Sequence, residues 1–245
     1  MKERIITGFG LLFLVIVIGL IDSPFLMWLF FGLVYFIAFK ESMKLYSIKD
    51  EKLPFYALIL WCIAFIYPYG DDLFILAGVA YAGAVAYNKE VSWKKFYPFI
   101  YPTAGMLFIL TLYREYGVES LFWLLAVVAL SDVGAFAVGK SIGKTKFCET
   151  SPNKTMEGVV GGIAVATIGG ALLSLSVIDL FSSFIISFAV SVASIFGDLY
   201  ESKLKREAGV KDSGDILPGH GGVLDRIDGY LFGAVVMLIL LRGLV

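Results

Sequence analysis

Long apolar runs separated by short polar connections fill the chain from end to end. A helix that crosses a bilayer needs roughly 20 mostly apolar residues. The pattern predicts about nine such helices, near 5–21, 24–39, 54–69, 73–88, 96–113, 120–139, 158–178, 182–199 and 227–244. Tight turns at Asp22-Ser23-Pro24 and Gly70-Asp71-Asp72 separate neighbouring spans. Lys40 to Lys52, between the second and third spans, reads as an amphipathic segment on the membrane surface. The first span follows Met-Lys-Glu-Arg as a signal peptide would, but no small-residue cleavage site precedes Asp22, so it reads as a retained helix. The expected fold is an all-α polytopic integral membrane protein. Residues 1–119 form its N-terminal helices, and residues 120–245 form a membrane region with polar loops at 140–157 and 200–226.

Composition agrees with this pattern. Of the 245 residues, 59% are hydrophobic, and the mean hydropathy is +0.85; a soluble domain is about 45–50% apolar. A net charge of −1 gives no global basic field for nucleic acid. Cys62 and Cys148 suggest neither a disulfide framework nor a thiolate metal site. The placement of charge is more informative than its sum. When the loops are assigned alternately to two sides, all but Arg114 and Arg242 of the 20 Lys and Arg residues fall on the side of the N-terminus. Basic loops stay in the cytoplasm. The expected N-terminus is therefore cytoplasmic, the C-terminus outside, and both long polar loops face the compartment that holds nucleotides. Two small-residue patterns, Gly78 to Gly83 and Gly158 to Gly162, mark helix faces that let backbones approach.

Polar chemistry is concentrated in the second half. Asp132, Asp198, Asp225 and Asp228 lie within or beside apolar runs. An ionised carboxylate in lipid costs at least about 2.5 kcal/mol and so faces a partner or a polar cavity. Asp132 either closes a buried helix–helix hydrogen bond or contacts substrate or an ion. Asp198 and Glu201 share a helix face at i, i+3, and Asp225 and Asp228 repeat that spacing. Two acid pairs at facing helix ends could supply the oxygen ligands that Mg²⁺ prefers; helix capping is the simpler alternative for the second pair. Lys205, Arg206 and Lys211, with Asp212 and the glycines around them, suit a phosphate-rich ligand. Lys203 reads as a membrane-side anchor. His220 sits in Pro218-Gly219-His220-Gly221-Gly222, where little else could hinder its approach to a ligand. Gly139 to Thr145 fails the spacing of a P-loop and follows a helix rather than a strand. Ser151, Lys154 and Thr155, at the start of a span with Glu157 at i, i+3 from Lys154, suit an anion seat; Lys154 and Ser151 aside, the segment reads as an ordinary capping box.

The stretch from Ser202 to Asp228 resembles the signature of the phosphatidate cytidylyltransferases, or CDP-diglyceride synthetases. Ser202, Lys205-Arg206, Lys211-Asp212, Leu217 to Gly222 and Asp225-Arg226-Ile227-Asp228 carry the likeness. Asp132 to Phe136, Gly139-Lys140 and Ser151 to Gly158 resemble a second region of the same family. Val133, Lys140 and Asn153 depart from its commonest residues, and residues before about 120 match only as generic spans. The resemblance implies that phosphatidate attacks the α-phosphorus of CTP, giving CDP-diacylglycerol and pyrophosphate. It implies Mg²⁺, held by Asp198 and Asp225, with room for a second, monovalent cation such as K⁺ at the same centre. The expected catalytic groups are Lys205, Arg206, Lys211, His220, Arg226 and Asp228; Asp132, Ser151, Lys154, Glu157 and Asp212 are expected to bind substrate. His220 and Asp228 would orient groups, since the attacking phosphate is already anionic. The expected location is the inner (cytoplasmic) membrane, with the site facing the cytoplasm, and the apolar surface would accommodate a homodimer. Two other readings use the same residues: a CTP-dependent polyprenol or lipid kinase, and an ion-coupled transporter.

Overall fold

The computed structural model describes the backbone of residues 2–174 and 178–245, with side chains from Gly8 onward. The helices are α1 (Lys2–Ile21), α2 (Pro24–Leu45), α3 (Leu53–Ile66), α4 (Gly70–Tyr87), α5 (Gly105–Ile142), α6 (Met156–Leu173), α7 (Leu180–Glu207) and α8 (Leu224–Leu244). A 3₁₀ turn at Trp93–Phe96 and a π-helical turn at Phe99–Ala104 lead into α5. No strand occurs among the described residues; Lys146↔Thr155 and Leu217↔Gly221 are isolated bridges. Among the described residues, five helical segments are long and apolar enough to cross a membrane: Pro24–Leu45, Trp93–Ile142, Met156–Leu173, Leu180–Glu207 and Leu224–Leu244. This is an all-α, multi-pass membrane protein.

Several boundaries differ from the expected ones. Pro24 starts α2 at its first helical position, where a missing N–H costs nothing. α2 then runs through Lys40 and Lys44 to Leu45, so half of the expected surface segment is helix. α4 begins at Gly70, which places Asp71 and Asp72 in its first turn, where carboxylates complement the helix dipole. α7 continues to Glu207 and takes up the start of the expected 200–226 loop. The Lys205–Glu201 pair at i, i+4 and the basic last turn favour that extension. Two expected spans, 96–113 and 120–139, enter α5, which is interrupted at Gly117 with φ +73°. Residues 175–177 of the expected 158–178 span, and the side chains of Lys2 and Arg4, lie outside the described residues.

The contacts divide the chain into two units, Met1–Arg114 with Glu207–Ile227, and Glu115–Arg206 with Asp228–Val245. In the first, Trp28 and Trp61 exchange Nε1–H···O=C bonds of 3.0 and 3.2 Å between α2 and α3. A Cβ at Gly32 would collide with the Trp61 ring, so only glycine permits this crossing. Tyr35, Phe39, Met106, Leu107 and Leu110 fill the core beside it. In the second unit, glycines bring α5 and α6 together. A Cβ at Gly158 would lie 2.8 Å from the Ala135 carbonyl oxygen, and one at Gly162 would lie 2.5 Å from that of Ser131. The expected close approach therefore holds at Gly158 and Gly162. It does not hold at Gly78 and Gly83: the nearest described atom to a Cβ at Gly78 is 3.7 Å away, and at Gly83 none lies within 4 Å.

Candidate active site

Within the second unit, α7 and α8 bring three carboxylates together. The one-turn spacing of Asp198 and Glu201 sets both on one face of α7, and Asp228 joins them from α8. Ligand atoms of the three lie within 4.8 Å of one another. The crossing requires Gly197, where a Cβ would stand 2.5 Å from the Asp228 carbonyl oxygen and 3.2 Å from Gly229 Cα. Two ammonium groups answer the acids. Lys205 Nζ is 2.7 Å from Glu201 Oε2, and Lys154 Nζ is ion-paired with Asp198 Oδ2. Glu201 is fully buried, a position that a charged side chain occupies only with a counter-ion. The described ion pairs thus set two ammonium groups against the three carboxylates of this cluster. Its oxygen donors suit a hard divalent cation such as Mg²⁺.

Lys154 also joins this cluster to a cavity of about 450 Å³ lined by Asp132, Phe136, Lys140, Ser151, Asn153 and Lys154. Asp132 is exposed and lines this cavity. Thr155 caps α6, accepting the Gly158 N–H at 3.2 Å. Glu157 turns to the loop after α5. Its carboxylate accepts from Lys144 N at 3.1 Å, Thr145 N at 3.1 Å and Thr145 Oγ1 at 2.9 Å. The Phe147 N–H···O=C Lys154 and Met156 N–H···O=C Thr145 bonds, each 2.9 Å, close the loop on itself. Glu157 thus supports the segment that carries Lys154, and it is not among the residues lining the cavity.

The first unit holds the other expected residues. Asp225 is buried, and its Oδ2 accepts from Ser213 N (2.8 Å), Ser213 Oγ (2.9 Å) and Gly222 N (2.8 Å). This carboxylate organises the loop before α8. Gly219 and Gly221 adopt φ of +75° and +82°, the left-handed region that glycine tolerates. They form the turn in which His220 N donates to Leu217 O and Leu217 N to Gly221 O, both at 2.9 Å. His220 is half-buried, and its Nδ1 finds no hydrogen-bond partner among the described residues. Lys211, Asp212 and Arg226 are exposed in this unit, and Arg206 is exposed in the last turn of α7 in the other. The sequence reading did not single out Glu41, in α2. It is 2% exposed, and its carboxylate accepts from Val223 N at 3.0 Å, Leu224 N at 2.8 Å and Ser213 Oγ at 3.2 Å.

Membrane helices, a glycine-dependent carboxylate cluster paired with lysines, and an adjoining polar cavity define a class: integral membrane proteins with a charged site suited to a cation and an anionic ligand. The comparisons narrow this class. The sequence profile of the cytidylyltransferase family matches residues 2–244, and the chain belongs to that family. It is 40% identical to the phosphatidate cytidylyltransferase of Helicobacter pylori strain 26695 over 237 residues, 96% of this chain and 89% of that protein. It is 34% identical to the Bacillus subtilis phosphatidate cytidylyltransferase over 262 residues, 95% and 94% of the two chains. A third relative of that name, from Thermotoga maritima, is 42% identical over 152 residues, 58% of this chain and 56% of its own.

Proposed function

We propose that this chain transfers the cytidylyl group of CTP to phosphatidate in phospholipid synthesis. A phosphate oxygen of phosphatidate attacks the α-phosphorus of CTP. A new P–O–P bond forms, the bond to the β-phosphate bridge breaks, and pyrophosphate leaves with its electron pair. The attacking oxygen is already anionic near neutral pH, so no strong base is required. The work of the protein is to position two anions and offset their repulsion. The observation that carries this reading is Lys154, which both lines the cavity and pairs with Asp198. The cavity and the carboxylate cluster are therefore one site within the second unit.

Asp198, Glu201 and Asp228 are the residues that would hold Mg²⁺. Bound there, Mg²⁺ would neutralise triphosphate charge and favour departure of pyrophosphate. Of the pair expected from the sequence, Asp198 keeps that role. Asp225, in the first unit, keeps its expected part as a metal ligand, and the three donors at its Oδ2 give it a part in ordering its loop as well. A monovalent cation beside Mg²⁺ would add a further counter-charge. Lys140, Lys154 and Lys205 supply cations to the phosphates; Ser151 and Asp132 supply polar contacts in the cavity. Arg206, Lys211, Asp212, His220 and Arg226 keep their proposed parts in holding the polar substrate groups.

The charge bias of the loops supports about nine spans, a cytoplasmic N-terminus and an outward C-terminus in the cytoplasmic membrane. The exposed apolar surface would accept a second copy of the chain. The test of function is purified protein in detergent with CTP, Mg²⁺ and phosphatidate. Stoichiometric CDP-diacylglycerol and pyrophosphate are expected. CDP together with a phosphorylated lipid would mean a kinase and end this reading. Asp228→Asn should reduce turnover by about 100-fold or more, the scale of a misplaced or lost electrostatic group.

A further inference from the structure

We propose that Glu41 is a positioning residue for this reaction: from α2 it holds the segment Ser213–Leu224 in the shape that presents His220, Asp225 and Arg226. This role rests on the functional reading above. It concerns a helix outside the two polar regions that carry the family's sequence signature.

The geometry leaves little freedom. Glu41 is 2% exposed near the C-terminal end of α2. One carboxylate oxygen, Oε1, accepts from Val223 N, and the other, Oε2, from Leu224 N and Ser213 Oγ. Leu224 is the first residue of α8, so two N–H groups that a helix start leaves without intrahelical partners are satisfied by one distant side chain. A carboxylate at that end also complements the helix dipole. Asp225 Oδ2 takes Gly222 N and shares the Ser213 hydroxyl as a second acceptor. Glu41 and Asp225 therefore hold the two ends of the loop around His220. The loop is built to receive the carboxylate. A Cβ at Gly222 would stand 2.7 Å from both Glu41 oxygens, and a Cβ at Gly214 would run into Oε1. Only at glycine positions can the loop close on Glu41 this tightly. Any smaller residue at position 41 could not reach, and an amide offers one acceptor where two are used.

A residue that merely helped the chain fold would change yield or melting. A positioning residue changes turnover per folded molecule, because small displacements of reacting groups are costly. The test uses full-length protein in detergent and two variants. Glu41→Gln keeps the shape and removes an acceptor; Gly214→Ala keeps Glu41 and crowds its carboxylate, and serves alone if the first does not fold. Expected in each is faster amide hydrogen exchange confined to residues 213–224. Expected with it is a kcat at least about tenfold lower per folded molecule, whatever the melting temperature. Wild-type exchange in that segment, or wild-type kcat in a folded variant, overturns the proposal. A wild-type protein that makes no CDP-lipid overturns the functional reading and this role with it. A fully active wild type with equally active variants overturns this role alone.

Discussion

Gly197→Ala tests whether the carboxylate cluster depends on how closely α7 and α8 cross. The added methyl carbon would sit 2.5 Å from the Asp228 carbonyl oxygen, and 3.2 Å from both the Asp228 carbonyl carbon and Gly229 Cα. All three are backbone atoms, so no side chain can swing aside. Ordinary contact begins near 3.4 Å, which obliges the two helices to part locally by about 1 Å, a displacement able to lower catalysis about 100-fold. Overpacking of this kind costs about 1–3 kcal/mol of stability. The next residue is Asp198 and the obstructed one is Asp228, so the displacement falls between two members of the cluster. The assay is CDP-diacylglycerol formation across a Mg²⁺ titration on protein that elutes as one species. A fall in turnover of about 100-fold, with a higher Mg²⁺ demand, is expected. Turnover and Mg²⁺ dependence equal to wild type would refute the argument that this crossing sets the site.

Gly83→Ala is the matched control: with no described atom within 4 Å of the new carbon, activity and melting should stay at wild-type values, the latter within about 0.5 kcal/mol. Lys154→Ala removes the partner of Asp198 and one wall of the cavity; turnover should drop about 100-fold, whereas retained activity would detach the cavity from the chemistry. Glu157→Gln takes one acceptor from the loop at Lys144 and Thr145, so exchange of those two amides should quicken and turnover fall about tenfold; unaltered exchange would count against its supporting role.

Much of this architecture can be read along the chain. Apolar runs locate the helices because lipid leaves a backbone few other ways to satisfy its hydrogen bonds. The acids at 132, 198, 225 and 228 stand out for the same reason, since a carboxylate there needs a partner or a polar cavity. The ends of helices are less legible. α7 outlasts its expected span by about two turns because charged residues at i, i+4 prolong it, and hydropathy does not register such pairs. The two glycine patterns look alike in sequence, yet Gly158 and Gly162 meet a neighbouring backbone while Gly78 and Gly83 meet no close one among the described residues. Glycine permits close approach without specifying a partner.

Glu41 shows where local reading ends. It stands at the polar end of an apolar helix, beside Lys40 and near Lys44, and its neighbours give it the look of a solvated surface residue. Its hydrogen-bond partners lie 172, 182 and 183 positions away. No periodicity within α2 could point to them. A signal existed in the other segment: Gly214 and Gly222 are small because something must lie against them, and Val223 and Leu224 begin a helix with no capping side chain among their immediate predecessors. The exposed N–H groups and the missing Cβ atoms together call for a carboxylate from elsewhere in the fold. In a membrane protein few carboxylates are available in the helices, so an acid within a helix that lacks a local partner is the first place to look for one. The polar loop that carries the family signature is therefore completed by a residue from the half of the chain where that signature is absent.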